Sequence, residues 1–356
     1  MRSCSRRTFL RAVGAAGVTP LTFSIAGAAT PPKILIGQIG TGHAHASGKT
    51  EAIRKSAEYE LVGVVEPDPA NRARAEQNKV YAGVKWITEE ELLNTPGLQA
   101  VAVETAVKDL LPMAARCIAS GKHIHLDKPA GESLPAFKQL LDDATRRKLT
   151  VQMGYMFRYN SAFELCFRFL REGALGDVFE LDTVMSKQLT AADRARLLPY
   201  RGGSMFELGC HVIDAVVTAL GRPQKVTAYN RSTAGDGFPD NQLAVLEYPG
   251  ATATVRSAVT EVQGERRRQF VVCGTRGTYD IRLLEPPAAR LGLDKAQGEY
   301  AAGYQDLRLP PMAGRFDGDF IDLAKVIRGE KAFGFSLEHD LAVQETVLLA
   351  SGLPIG

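Results

Sequence analysis

The stretch GGSMFELGCHVID, Gly202 to Asp214, gathers residue types that move protons. On a helix Glu207 and His211 stand four apart and share a face. A carboxylate that holds or tunes an imidazole makes His211 a candidate general base. Asp214, three residues further on, can also touch it; the competing reading is a histidine satisfied within a core. A second stretch, HLDKPAG, sets Lys128 between Asp127 and Pro129 at the end of an apolar run. A lysine at the carboxyl end of a parallel strand can hold a substrate oxygen and the edge of a cofactor. Alone, it reads equally as a surface lysine before a chain-breaking proline.

The third stretch is GQIGTGHAHASGK, Gly37 to Lys49. Gly40 and Gly42 can supply a tight turn and a close backbone approach to a pyrophosphate, with Thr41, His43 and Ala44 around it. A helix beginning just after offers free N–H groups and a positive dipole end. The third glycine of such a loop is replaced by His45. Glu66 lies 24 positions beyond Gly42, at the end of the next apolar run. A carboxylate there accepts bonds from ribose hydroxyls and repels a 2′-phosphate, which favours NAD over NADP. A metal at His43 and His45 is not expected. Rings two apart on a helix splay to different faces, and no acid or cysteine is near in sequence. His43 is expected over the cofactor or at the cleft mouth, and His45 on the protein-facing side of the helix.

These residues need a scaffold. From Lys33 to about Val151, apolar runs such as KILIG, YELVGVV and QAVAVET alternate with amphipathic helical patterns. Continuous apolar strands alternating with helices predict a doubly wound parallel sheet, of α/β class, over 33–151. Over 152–356 a helix at FELCFRFLREGALG comes first; strands then dominate, six in all, with a helix at GCHVIDAVVTALG and two near the end, at GDFIDLAKVIRG and LEHDLAVQETVLLASG. Turn signals at Pro249-Gly250 and Gly274 to Gly277 predict a largely antiparallel open sheet. In the last helix, His339 and Asp340 either reach the cleft or cap the helix, and capping is the favoured reading.

The formal net charge of +3 gives no case for nucleic acid. The N-terminus explains the basic balance. Arg6-Arg7 precedes Thr8, Phe9 and Leu10, then a mildly apolar run and the small residues Ala26 to Ala28. This resembles a twin-arginine export signal over 1–28, implying the export machinery as a partner and a periplasmic mature protein. Removing its four arginines takes the charge to about −1. That pathway carries folded proteins, which suits a cofactor loaded beforehand. No other apolar run is long enough to span a membrane. Cys117, Cys166, Cys210 and Cys273 are too scattered for a disulfide framework or a zinc cluster.

In order along the chain stand Gly-x-Gly after the first strand, Asp-Lys-Pro, GYMFRYN, Glu-x-x-x-His-x-x-Asp and CGTRGTYDI. With these the chain resembles the Gfo/Idh/MocA oxidoreductases over nearly everything after Lys33. The resemblance implies a Rossmann domain, an open-sheet domain that often forms a homo-oligomer interface, and tightly held NAD or NADP. It also implies a sugar, polyol or derivative as substrate. By position it makes Lys128 a contact of substrate and cofactor, His211 the catalytic histidine and Glu207 its usual acid, here longer by a methylene. Arg158 falls near the cofactor and Asp109 where many members carry histidine. Thr105 joins the cofactor contacts, and Tyr155, Arg201 and Asp214 the substrate contacts. Two other activities fit this resemblance. One is glycoside cleavage through transient oxidation and elimination on a recycled NAD. The other is non-catalytic carbohydrate binding.

Overall fold

The computed structural model describes residues 31–312 and 314–356, and structural statements below concern these. The expected leader, 1–28, lies outside the described residues. The body is Lys33–Gly356.

Five parallel strands, β1 (Ile34–Ile39), β2 (Tyr59–Val65), β3 (Leu98–Val103), β4 (His123–Leu126) and β5 (Val151–Met153), lie in the order β2-β1-β3-β4-β5. Helices α1 (Ala46–Lys55), α2 (Pro69–Glu76), α3 (Glu89–Leu93), α4 (Val107–Ala119) and α5 (Leu134–Arg146) connect them. Both sheet faces are covered, so Ile34, Ile36, Ile39, Val101 and Val103 are all buried. The order reverses between β1 and β3, and a crevice at that switch point is where ligands bind in open α/β sheets. Most helices start on a side-chain cap: Asp68 for α2, Thr88 with Glu91 for α3, Ser133 for α5.

The second half holds β6 (Val178–Val184), β7 (Lys225–Arg231), β8 (Asn241–Glu247), β9 (Thr252–Ala258), β10 (Gln269–Gly274), β11 (Gly277–Leu284), β12 (Pro287–Leu293) and β13 (Gly303–Asp306). They form one sheet, ordered β13-β12-β11-β10-β6-β9-β8-β7. Every pairing is antiparallel except β6 with β9. Helices α6 (Ser161–Arg171), α7 (Ala191–Leu197), α8 (Cys210–Leu220), α9 (Asp317–Ile327) and α10 (Leu337–Ala350) complete the chain. α6, α8 and α10 cover one face of the sheet. β8 shows the consequence: Gln242, Ala244 and Leu246 are buried while Leu243 and Val245 face outward, half-exposed. The parallel and open antiparallel sheets match the expected fold class.

Three details differ from the sequence reading. β5 runs to Met153, so the first sheet extends past the expected boundary at 151. α9 returns to the first half, where Phe316, Phe320 and Ala324 pack with Ile34, Ile36 and Ile53. The hydroxyl of Tyr59 donates to the Phe320 carbonyl at 2.8 Å. The split into 33–151 and 152–356 is therefore crossed by the late helix. Finally, α3, α7, β12 and β13 went unread. α7 buries no residue, and β12 opens on prolines, so neither shows a clear apolar period.

Candidate active site

At the end of β1 the chain turns through Gly40, whose φ is +94°. A Cβ there would stand 2.5 Å from the Glu104 backbone, so the loop requires glycine. The turn delivers the N-terminus of α1, which has no side-chain cap and no acid in its first turn. Helix ends normally have such partners, and this one is left to an anion. Glu66 follows β2 and accepts from the Thr41 N–H at 2.6 Å and the Thr41 hydroxyl at 2.8 Å. The Thr105 hydroxyl is buried beside the loop without a protein partner. Glycine turn, uncapped helix, carboxylate and buried hydroxyl together fit a bound dinucleotide.

Beneath the loop lies a buried charge cluster centred on Asp127, at the carboxyl end of β4. Its Oδ1 accepts from the Lys128 N–H at 2.8 Å, lies 2.9 Å from Lys49 Nζ and 3.3 Å from His45 Nδ1. Oδ2 is in close contact with His43 Nδ1. Lys49 also donates to Glu104 at 3.0 Å, and both are fully buried. Burial works against the Asp127 charge, but His43, Lys49 and His45 outweigh it and hold the carboxyl well below its usual range. Burial, then Asp127, pushes Glu104 well above its usual range. His45 falls to about 3, chiefly through burial, and is a neutral imidazole at neutral pH.

This corrects the reading of the two histidines. His45 is the residue before α1 rather than part of its face, so the rings do not splay; their centroids are 5.0 Å apart. His45 packs against protein groups, 3.3 Å from Asp127 and with its ring 5.5 Å from those of Phe316 and His211. An acid distant in sequence joins them: ligand atoms of His43, His45 and Asp127 lie within 4.8 Å of one another. The Lys49 ammonium also supplies a positive charge there, 2.9 Å from Asp127 Oδ1.

His211 is buried in the first turn of α8, against the edges of Tyr155 and Phe157. Its Nδ1 has no hydrogen-bond partner. Burial, reinforced by Lys128, drives its pKa well below the ordinary value, leaving a neutral ring. Lys128 Nζ donates to the Glu207 carbonyl at 2.6 Å and lies 3.7 Å from its carboxylate. Burial opposes the Lys128 charge, but Glu207 outweighs it. The structure thus brings Lys128, His211 and Glu207 together, but not in the expected pairing. Residues Met205–Gly209 form a turn of π-helix before α8, which breaks the four-residue register. The Glu207 carboxylate goes to Lys128 and, at 3.3 Å, to Lys187 rather than to His211. Burial would raise Glu207, but the two lysines lower it to about 2.

Asp214 does not touch His211 either. It binds Arg158 at 2.6 Å, and Asp340 closes on the same guanidinium from α10 at 2.5 Å. Arg158 is therefore a buried strut that holds Asp214 and Asp340 and lies over the Tyr155 ring at 5.1 Å. Ser336 caps α10, so the expected capping role of His339 and Asp340 passes to it; His339 instead lies 3.6 Å from Asp214. Arg201 is exposed and paired with Glu132, and Asp109 is exposed beside Lys108. Lys49, Glu104 and Lys187 were missed. The acid ending the apolar strand QAVAVET was a usable signal for Glu104; a lysine early in a helix gave none.

The geometry agrees with the comparisons. Residues 34–155 match the model of the oxidoreductase family with an NAD-binding Rossmann fold, and residues 164–280 the GFO/IDH/MocA C-terminal domain. Oxidoreductase YhhX of Escherichia coli is 27% identical over 207 residues, 57% of this chain and 59% of that protein. The chain thus spans under two thirds of that relative. Bovine trans-1,2-dihydrobenzene-1,2-diol dehydrogenase is 24% identical over 73% of this chain and 75% of its own. The structure of an aldose-aldose oxidoreductase from Caulobacter crescentus, complexed with glycerol, superposes with TM-score 0.74 at 19% identity, covering 90% of this chain and 98% of that one. A UDP-N-acetylglucosamine 3-dehydrogenase from Acidithiobacillus ferrooxidans gives 0.72 at 16%, covering 91% and 98%. At such identities the two structures speak for the fold alone. With both domain models matched in order, the chain belongs to the Gfo/Idh/MocA oxidoreductase family.

Proposed function

We propose that the protein transfers hydride between a nicotinamide cofactor, NAD rather than NADP, and a carbon-bound hydroxyl of a sugar, polyol or derivative. The observation that carries this is the neutral, buried His211 with an unpartnered Nδ1 beside a charged Lys128, at the crevice of the nucleotide loop. Bound nicotinamide supplies the hydride acceptor. A neutral imidazole can take the hydroxyl proton, and Lys128 stabilises the negative charge developing on the same oxygen. Glu207 keeps Lys128 charged and in place through its carbonyl and carboxylate. Tyr155 and Phe157 wall the imidazole from water. The position of Glu66 supports NAD, since a carboxylate there repels a 2′-phosphate.

The sequence of 1–28 supports export of the folded, cofactor-loaded protein to the periplasm by the twin-arginine machinery. The outward face of the eight-stranded sheet supports a homo-oligomer, with Tyr229 exposed beside half-buried Leu243. The activity is tested with His211→Ala. Turnover with the best sugar or polyol falls by about 100-fold or more, while co-purified NAD stays at the wild-type level. Undiminished turnover in that variant overturns the assignment.

A further inference from the structure

We infer that the substrate is an anionic sugar derivative, carrying a carboxylate or phosphate beside the hydroxyl that reacts. The inference rests on the hydride-transfer reading and specifies its substrate class. A chain of contacts runs from Lys128 to His211. From Lys128 it passes to Glu207 and on to Lys187 Nζ at 3.3 Å. The neighbouring Ser186 carbonyl accepts from Arg268 Nε at 2.9 Å. Arg268 Nη1 is 3.5 Å from Glu285, which Arg315 also holds, at 3.0 Å. Arg315 lies over the Phe316 ring, which is 5.5 Å from His45, itself 5.5 Å from His211.

Four cations, Lys128, Lys187, Arg268 and Arg315, therefore share two carboxylates, Glu207 and Glu285. Glu265 also acts on Arg268, but from an exposed turn where water screens it. The floor beneath does not make up the difference: Lys49 offsets Asp127, and Glu104 is held toward its neutral form. The Arg268 side chain is only 12% exposed, and its one carboxylate contact is long and shared. The part-buried Arg268 guanidinium meets a carboxylate through one nitrogen only, short of the paired acceptors its planar fork prefers. A substrate carboxylate or phosphate supplies them, and a neutral polyol offers hydroxyls only. The pyrophosphate does not answer for the surplus, because its cradle is the α1 N-terminus on the first sheet.

The test uses the purified, NAD-loaded protein and matched pairs: glucuronate with glucose, gluconate with glucitol, a hexose phosphate with its hexose. Binding is read by thermal shift and turnover by absorbance of reduced nicotinamide, at low and high salt. The acid member of at least one pair has a kcat/KM about 10-fold or more above its neutral partner, and the gap narrows with salt. In Arg268→Gln the preference drops about 10-fold, mainly through KM, with NAD content unchanged. Equal kcat/KM within each pair overturns the inference and, where both members react, leaves hydride transfer standing. Selective stabilisation by the acids without nicotinamide reduction does the reverse. Loss of NAD in Arg268→Gln, with the acid preference intact, assigns the cations to the cofactor and overturns the inference.

Discussion

Replacing Lys49 by methionine tests the charge cluster beneath the nucleotide loop. Lys49 Nζ lies 2.9 Å from Asp127 and 3.0 Å from Glu104, and all three side chains are fully buried. Methionine keeps most of the stem volume but leaves two carboxyls around one missing cation. Breaking a buried ion pair from one side costs about 3–5 kcal/mol. For a chain of this size that is roughly a 4–7 °C fall in Tm. The pH dependence follows from the sign. Without Lys49, Glu104 rises further above its unfolded value of about 4, and Asp127 loses part of what holds it low. A carboxyl raised on folding destabilises the fold above its folded pKa, and this penalty fades as pH falls through it. The deficit of the variant is therefore largest near neutrality and shrinks toward pH 5. Adding Glu104→Gln removes one of the uncompensated acids and recovers part of the loss. Urea unfolding of wild type, both single variants and the double, across pH, is the assay. A Lys49→Met effect within about 0.5 kcal/mol, or a deficit that grows as pH falls, refutes the reasoning.

Two other outcomes follow from the same geometry. Asp214→Asn weakens the Arg158 strut by on the order of 1–3 kcal/mol in urea unfolding. Burial would raise Asp214, but Arg158 outweighs it, so its stabilisation is present above the unfolded pKa and lost as pH falls through the folded one; a wild-type acid limb in the Asp214→Asn variant contradicts this. Dialysis against EDTA leaves turnover unchanged and cobalt gives no visible absorption bands, because Lys49 rather than a metal balances Asp127. A stoichiometric metal in the purified protein would show otherwise.

Much of this was legible in the sequence because it is local. The strand, the glycine turn and the helix start occupy consecutive residues, so Gly40, Gly42 and Glu66 could be placed by spacing alone. Lys128 was legible for the same reason, at the end of an apolar strand. The pairing of the polar residues was not. A single π turn over Met205–Gly209 diverts Glu207 from His211 to Lys128, and no side-chain pattern announces it. His45 looked like a helix-face residue until its place before α1 was known. Arg158 and Asp340 are 182 positions apart and meet only because α10 packs against α8. Lys187, Arg268 and Arg315 come from three separate connections, and only the fold links them, through Glu207, Ser186 and Glu285.

The central claim is that this crevice moves a hydride from carbon to nicotinamide with His211 taking the proton. The direct measurement is to incubate the NAD-loaded protein with carbon-deuterated sugars, polyols and sugar acids, and to follow deuterium in the recovered nicotinamide by mass spectrometry. The account predicts deuterium in the reduced nicotinamide of the wild-type protein and none in an equally NAD-loaded His211→Ala. Unlabelled nicotinamide from substrates that demonstrably bind, or equal labelling in the variant, would contradict it.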